Sequence, residues 1–147
     1  MPWLKDLVNI IIDSKVLISA LVRDSTTREI IISSDYNFFL PEFCLDEIEE
    51  HKKELIDKSR LYEEDFDELL ISLLSYVKII KTKDVVEYRE RAFEIIGSID
   101  KDDAIFFACA LAYPGSAIWS NDAHFERQDK IKIYTTKSLI EELFGRY

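Results

Sequence analysis

The sequence predicts an α/β fold, a three-layer α/β/α sandwich around a central, mainly parallel sheet. Three observations carry the prediction. Short β-branched runs alternate with helix-patterned segments along the whole chain, as expected of strands joined by crossover helices. The first run, LVNIIID over 7–13, is apolar without alternation, which suits a strand covered on both faces. Only three glycines and three prolines punctuate 147 residues, with no repeat, low-complexity tract or linker, so the chain reads as one domain over 1–147. With 48% hydrophobic residues it has the material for a real core.

Taken in order, the first strand ends at Asp13, and SKVLISALVRD (14–24) follows with helical spacing. STTREIIISSD (25–35) reads as a second short helix capped by Ser25 or Thr26. YNFFLPEF (36–43) is a strand closed by Pro41, a residue suited to the first turn of the helix EFCLDEIEEHKKELIDKS (42–59). EEDFDELLISLLSY (63–76) is amphipathic and helical, and VKIIK (77–81) is a strand. VVEYRERAFEIIG (85–97) is a helix that Gly97 ends as its left-handed C′ residue. SIDKDDAIFFACALA (98–112) opens with Asp100 as N-cap, which sets Asp103 one turn on, and then runs apolar nearly all round as a buried helix does. AIWSND (117–122) is a strand, HFERQ (124–128) a helical turn, KIKIYTT (130–136) a strand and KSLIEELFGRY (137–147) the last helix.

Charge bounds the function. With 19 basic against 29 acidic residues the net charge is −10, the wrong sign for a protein that grips phosphates unaided, so any nucleic-acid role needs divalent cations. Much of the acid is ordinary: DEIEEHKKELIDKSRLYEEDFDELL alternates acids and bases at helical spacing, a solvated face. Cys44 and Cys109 form no metal-ligand or CxxC spacing and read as small buried hydrophobes in a reducing compartment. The first residues lack a secretory pattern, and no apolar stretch reaches about 18 residues. The expectation is a cytoplasmic protein with no membrane partner.

In such a fold, chemistry sits at the carboxyl ends of the strands. Asp13 and Asp122 end strands, Glu47 lies nearly two turns into the helix after FFLP, and Asp103 lies in the first turn of the buried helix. Converging carboxylates repel and raise one another's pKa unless a cation joins them, and oxygen donors without histidine or cysteine partners favour Mg²⁺ or Mn²⁺ over zinc. Each acid also has a plainer reading: Asp13 and Asp122 as caps, Glu47 as part of a charged helix face, Asp103 and Asp100 as ordinary helix-start acids.

NIIIDSKVLISAL, PEFCLDEIEEH, DKDDAIFFACALA and AIWSNDAHF resemble, in order, the successive motifs of PIN-domain ribonucleases, with the closest likeness to small stand-alone prokaryotic members such as VapC-type toxins. The resemblance runs from about residue 8 to the C-terminal helix. It implies a five-stranded parallel sheet, Mg²⁺- or Mn²⁺-dependent cleavage of RNA, a homodimer and, for toxins, an antitoxin partner. Carried over by position, the family's acids fall on Asp13, Glu47, Asp103 and Asp122. The chain departs from the family at NDAHF, where His124 stands in place of a frequent second aspartate. Ser14 is placed to orient a carboxylate or water and Lys15 to meet phosphate, while Asp100, Ser120 and Asn121 are candidates for supporting hydrogen bonds.

An acid cluster with no nucleophilic side chain points to attack by an activated water, leaving 5′-phosphate and 3′-hydroxyl ends. Lys15, Arg23, Arg28, Lys52, Lys53 and Arg127 are candidates to guide an RNA backbone, although the sequence does not place them on one face. Two other classes stay open. One is a catalytically inactive PIN-fold module that binds RNA or protein, supported by NDAHF. The other is a receiver-like phosphoacceptor domain, disfavoured because the first strand ends in a single acid.

Overall fold

The structure is a computed structural model that describes residues 8–23, 25–98 and 103–145. The chain runs β1 (Asn9–Ile12), α1 (Ser14–Val22), α2 (Ser25–Ser33), β2 (Asn37–Pro41), α3 (Phe43–Glu50), α4 (Lys52–Ser59), α5 (Glu63–Leu74) and β3 (Val77–Ile80). It continues through α6 (Arg89–Ala92), α7 (Ala104–Ala112), β4 (Ala117–Trp119), β5 (Ile133–Tyr134) and α8 (Thr136–Phe144). The five strands pair in parallel in the order β3-β2-β1-β4-β5. This α/β sandwich is the predicted class, but its strand order is not the 2-1-3-4-5 order of receiver domains, and that alternative falls here.

β1 is central because its sequence allows nothing else. Ile10, Ile11 and Ile12 are fully buried, aligned with Phe38 and Phe39 on one side and with Ala117, Ile118 and Trp119 on the other. α7 lies across β1, β2 and β4, and its Phe106, Phe107, Ala108, Cys109 and Ala110 are all buried, as its unbroken apolar sequence requires. α1 packs against α2, α3, α4 and α5. Since β2 and β4 flank β1 on opposite sides, the crevice at the carboxyl ends of β1 and β4 is the topological switch point of the sheet.

Several local expectations are corrected. α2 spans Ser25–Ser33, so Thr26 lies inside the helix and is not its cap, while the residue before the helix lies outside the described residues, as does Asp100. Pro41 belongs to β2, not to the next helix. It pairs with Ile80 beyond the last β1 partner, Phe39, where a missing N–H costs no ladder bond. The helix expected over 42–59 breaks at His51 (φ −104°, ψ 14°) into α3 and α4. The helix expected over 85–97 is a short 3₁₀ turn (Val86–Tyr88), then α6, then a π-helical turn (Phe93–Gly97). Gly97 has no positive φ and caps nothing; its lack of a side chain makes room for the Phe93 ring. Among the described residues no helix is long and apolar enough to cross a membrane. Both cysteines are buried and free. Burial raises the thiol pKa of Cys44, and that of Cys109 to about 12, so neither is a ready nucleophile.

Candidate active site

Asp13 follows β1 directly. Its N–H donates to the Trp119 carbonyl at 3.0 Å, prolonging the β1–β4 ladder by one residue and fixing the side chain at the switch point. Its carboxylate doubles as the N-cap of α1, with Oδ1 accepting from the Lys15 N–H at 3.3 Å. The capping reading and the site reading are therefore compatible. Oδ2 accepts from the Ser120 hydroxyl at 2.8 Å, and the same Ser120 oxygen accepts from the Asp122 N–H at 3.1 Å. A fully buried serine at the end of β4 thus holds both acids in place. Asp122 itself stands three residues past β4 and caps the 3₁₀ turn Ala123–Arg127, accepting from the His124 N–H at 2.9 Å.

Glu47 reaches the same rim from α3, its carboxylate hydrogen-bonded to the buried Ser14 hydroxyl. Asp103 has helical backbone (φ −86°, ψ −8°) directly before Ala104 of α7 and makes no side-chain capping bond; Asp100, the cap expected one turn earlier, lies outside the described residues. The four acids named from the sequence all line one cavity of about 650 Å³, together with Ser14, Lys15, Thr82 and Phe106.

The electrostatics follow from that crowding. Burial pushes the Asp13 carboxyl above its ordinary value and the nearby Asp122 charge adds to the rise, against the Ser120 and Lys15 contacts. Glu47 is raised in the same way, first by burial and then by Asp13, with the Ser14 hydrogen bond opposing. Both carboxyls are thus held above their ordinary values chiefly by burial, a shift that a bound cation would oppose.

The donors fit a hard divalent cation, since every side chain concerned offers oxygen. They are spread around the cavity wall: among the described residues, no three His, Cys, Asp or Glu side chains close on a single point.

The supporting candidates divide. Ser14 touches Glu47 as expected, and Lys15 lines the cavity. Asn121 exchanges hydrogen bonds with Thr136 (3.0 Å and 2.8 Å) that pin α8 to the end of β4, and lines a smaller cavity beside Asp13 and Asp122. His124 places Nδ1 3.7 Å from Asp122 Oδ1, at the edge of the acid group. Ser120, in sequence no more than one of several polar residues at a strand end, proves the link between two of the acids. Thr82, after β3, lines the cavity unannounced by any motif.

The PIN domain family profile matches residues 11–144. No curated protein matches the sequence. Among solved structures, the chain is similar to the VapBC2 complex of Rickettsia felis bound to a DNA fragment from its promoter (TM-score 0.66, 14% identity, 87% of this chain and 98% of that one). It is also similar to PAE2754 of Pyrobaculum aerophilum (0.63, 15%, 95% and 91%) and to a toxin–antitoxin complex of Klebsiella pneumoniae (0.63, 14%, 86% and 97%). At such identities these likenesses speak for the fold, and the profile, spanning every strand but the first two residues of β1, speaks for the lineage: the chain belongs to the PIN domain family.

Proposed function

We propose that the protein is a Mg²⁺- or Mn²⁺-dependent endoribonuclease, the toxin of a toxin–antitoxin pair, with Asp13, Glu47, Asp103 and Asp122 as its metal-holding and catalytic acids. The observation that carries this reading is the gathering of those four carboxylates in one cavity at the switch point of the sheet. A bound divalent cation would supply an activated water and neutralise charge building on the phosphodiester. The chain's own part is to hold and orient. Ser120 fixes Asp13 and the Asp122 backbone, Ser14 fixes Glu47, and an acid not engaged with the cation takes the attacking water's proton. Lys15, at the cavity mouth, meets the phosphate.

The toxin role is supported by fold likeness to two proteins solved as toxin–antitoxin assemblies. Exposed apolar side chains on α5 and just beyond it (Ile71, Tyr76) and at the end of α8 (Phe144) support a homodimer. Cleavage of end-labelled single-stranded RNA tests the reading. Products bearing 5′-phosphates should form with Mg²⁺ or Mn²⁺, vanish with EDTA and vanish in Asp103→Asn. No cleavage under any metal by a folded protein would favour the inactive binding module instead.

A further inference from the structure

A second cavity of about 630 Å³, lined from α1 and the α4 region, borders the carboxylate cavity, and Lys15 lines both. Ile18, Val22 and Leu55 give it apolar walls. Its charged lining is Lys15, Arg23, Lys58 and Arg60 against the single acid Asp57, a local reversal in a chain of net charge −10.

Helix C-termini attract cations, and that accounts in part for Arg23 and Lys58. It does not account for Lys15, which stands in the first turn of α1, at the positive end of the helix dipole. For Arg60, which caps α4, it accounts for the charge but not for a side chain at φ 60°, the left-handed conformation where glycine is the usual residue. Of the other cations named as candidates, Arg28 donates to the Ala20 carbonyl and Lys52 is ion-paired to Asp67 at 2.8 Å, while Lys53 and Arg127 do not line this cavity. Among the described residues Lys58 pairs with Glu54, while Lys15, Arg23 and Arg60 form no ion pair.

We infer that this groove carries the sugar–phosphate backbone of single-stranded RNA toward the carboxylate cavity, with Lys15 at the junction and Arg23, Lys58 and Arg60 along the track. The inference rests on the ribonuclease reading. An acidic protein tail would satisfy the same cations, but where the groove meets Asp13 and Glu47 such a tail faces like charge, whereas a phosphodiester arrives there with its cation. The apolar walls suit the faces of ribose and base.

The test is fluorescence anisotropy of a fluorescein-labelled mixed-sequence 12-nucleotide RNA, with Asp103→Asn as the non-cleaving background. Arg23→Glu and Arg60→Gly should each weaken binding about fivefold at 0.1 M salt and flatten the log–log salt dependence by about 0.7. Lys137→Glu, on α8 and outside the groove, should do neither. Arg60→Gly should at the same time raise the melting temperature, so that lost binding is not lost folding. Groove variants that bind RNA as the parent does, a parent that binds no RNA, or an oligoglutamate peptide that binds the groove more tightly than RNA would each overturn the inference. Cleavage by the wild type, measured separately, decides the ribonuclease reading, so a failure of the groove is told apart from a failure of that reading.

Discussion

Ser120 carries more of the site than its side chain suggests. Replacing it with alanine leaves Asp13 Oδ2 and the Asp122 N–H without their shared partner in a buried setting, a loss of about 1–3 kcal/mol in stability. Divalent-cation affinity should fall about 10- to 100-fold in the same variant, readable by calorimetry. Asp13 makes a pH prediction. Its folded pKa lies above the unfolded value, so between the two the folded state binds more protons, and metal-free stability falls as pH rises through that window. Asp13→Asn should lessen that slope, the remainder of which belongs to the likewise raised Glu47, and melt higher than wild type at neutral pH without metal, a gain that added Mg²⁺ erases. Asp13 and Asp122 were legible in the sequence because strand-end acids face the expected crevice. Glu47 was legible only through the motif, as one acid among Asp46, Glu49 and Glu50. The importance of Ser120 was not legible, since its partner lies 107 residues away in the chain and no local pattern encodes the bond.

Strands and long apolar helices read well because burial on both faces leaves one solution: NIII and AIFFACALA sit where their patterns put them. Amphipathic stretches read less well. A continuous helical pattern over 42–59 does not reveal a bend at His51, because α3 and α4 each keep an apolar stripe, Cys44 and Ile48 in one and Leu55 in the other. The segment 85–97 buries Val85, Ala92 and Ile96, which at i, i+7 and i+11 would share one face of a continuous helix, so its pattern does not reveal the breaks into 3₁₀, α and π turns. At Arg60 the backbone adopts a conformation that side chains resist, so Arg60→Gly should stabilise the protein by about 1 kcal/mol in urea unfolding. At the opposite edge, Phe125 from the Ala123–Arg127 turn packs against Phe106 and Phe107 of α7, with ring centroids 6.0 and 5.3 Å apart. Phe125→Ala should cost about 3–5 kcal/mol and loosen Asp122 with it.

The whole molecule sets an electrostatic condition on its own activity. A net charge of −10 with four carboxylates on one cavity repels a polyanion, and the basic groove offsets this only along one side. Substrate binding near the acids and catalysis therefore share one cation dependence, and metal should also stabilise the fold by mass action, by about 2.7 kcal/mol at a hundred times its dissociation constant. The central claim is that this cavity is a divalent-cation site, and calorimetric titration of MnCl₂ into the wild type, Asp13→Asn and Asp103→Asn tests it most directly. The account predicts saturable binding to the wild type, weakened about tenfold or more in each variant while both remain folded. Equal Mn²⁺ affinity in all three proteins, or none in the wild type, would contradict it.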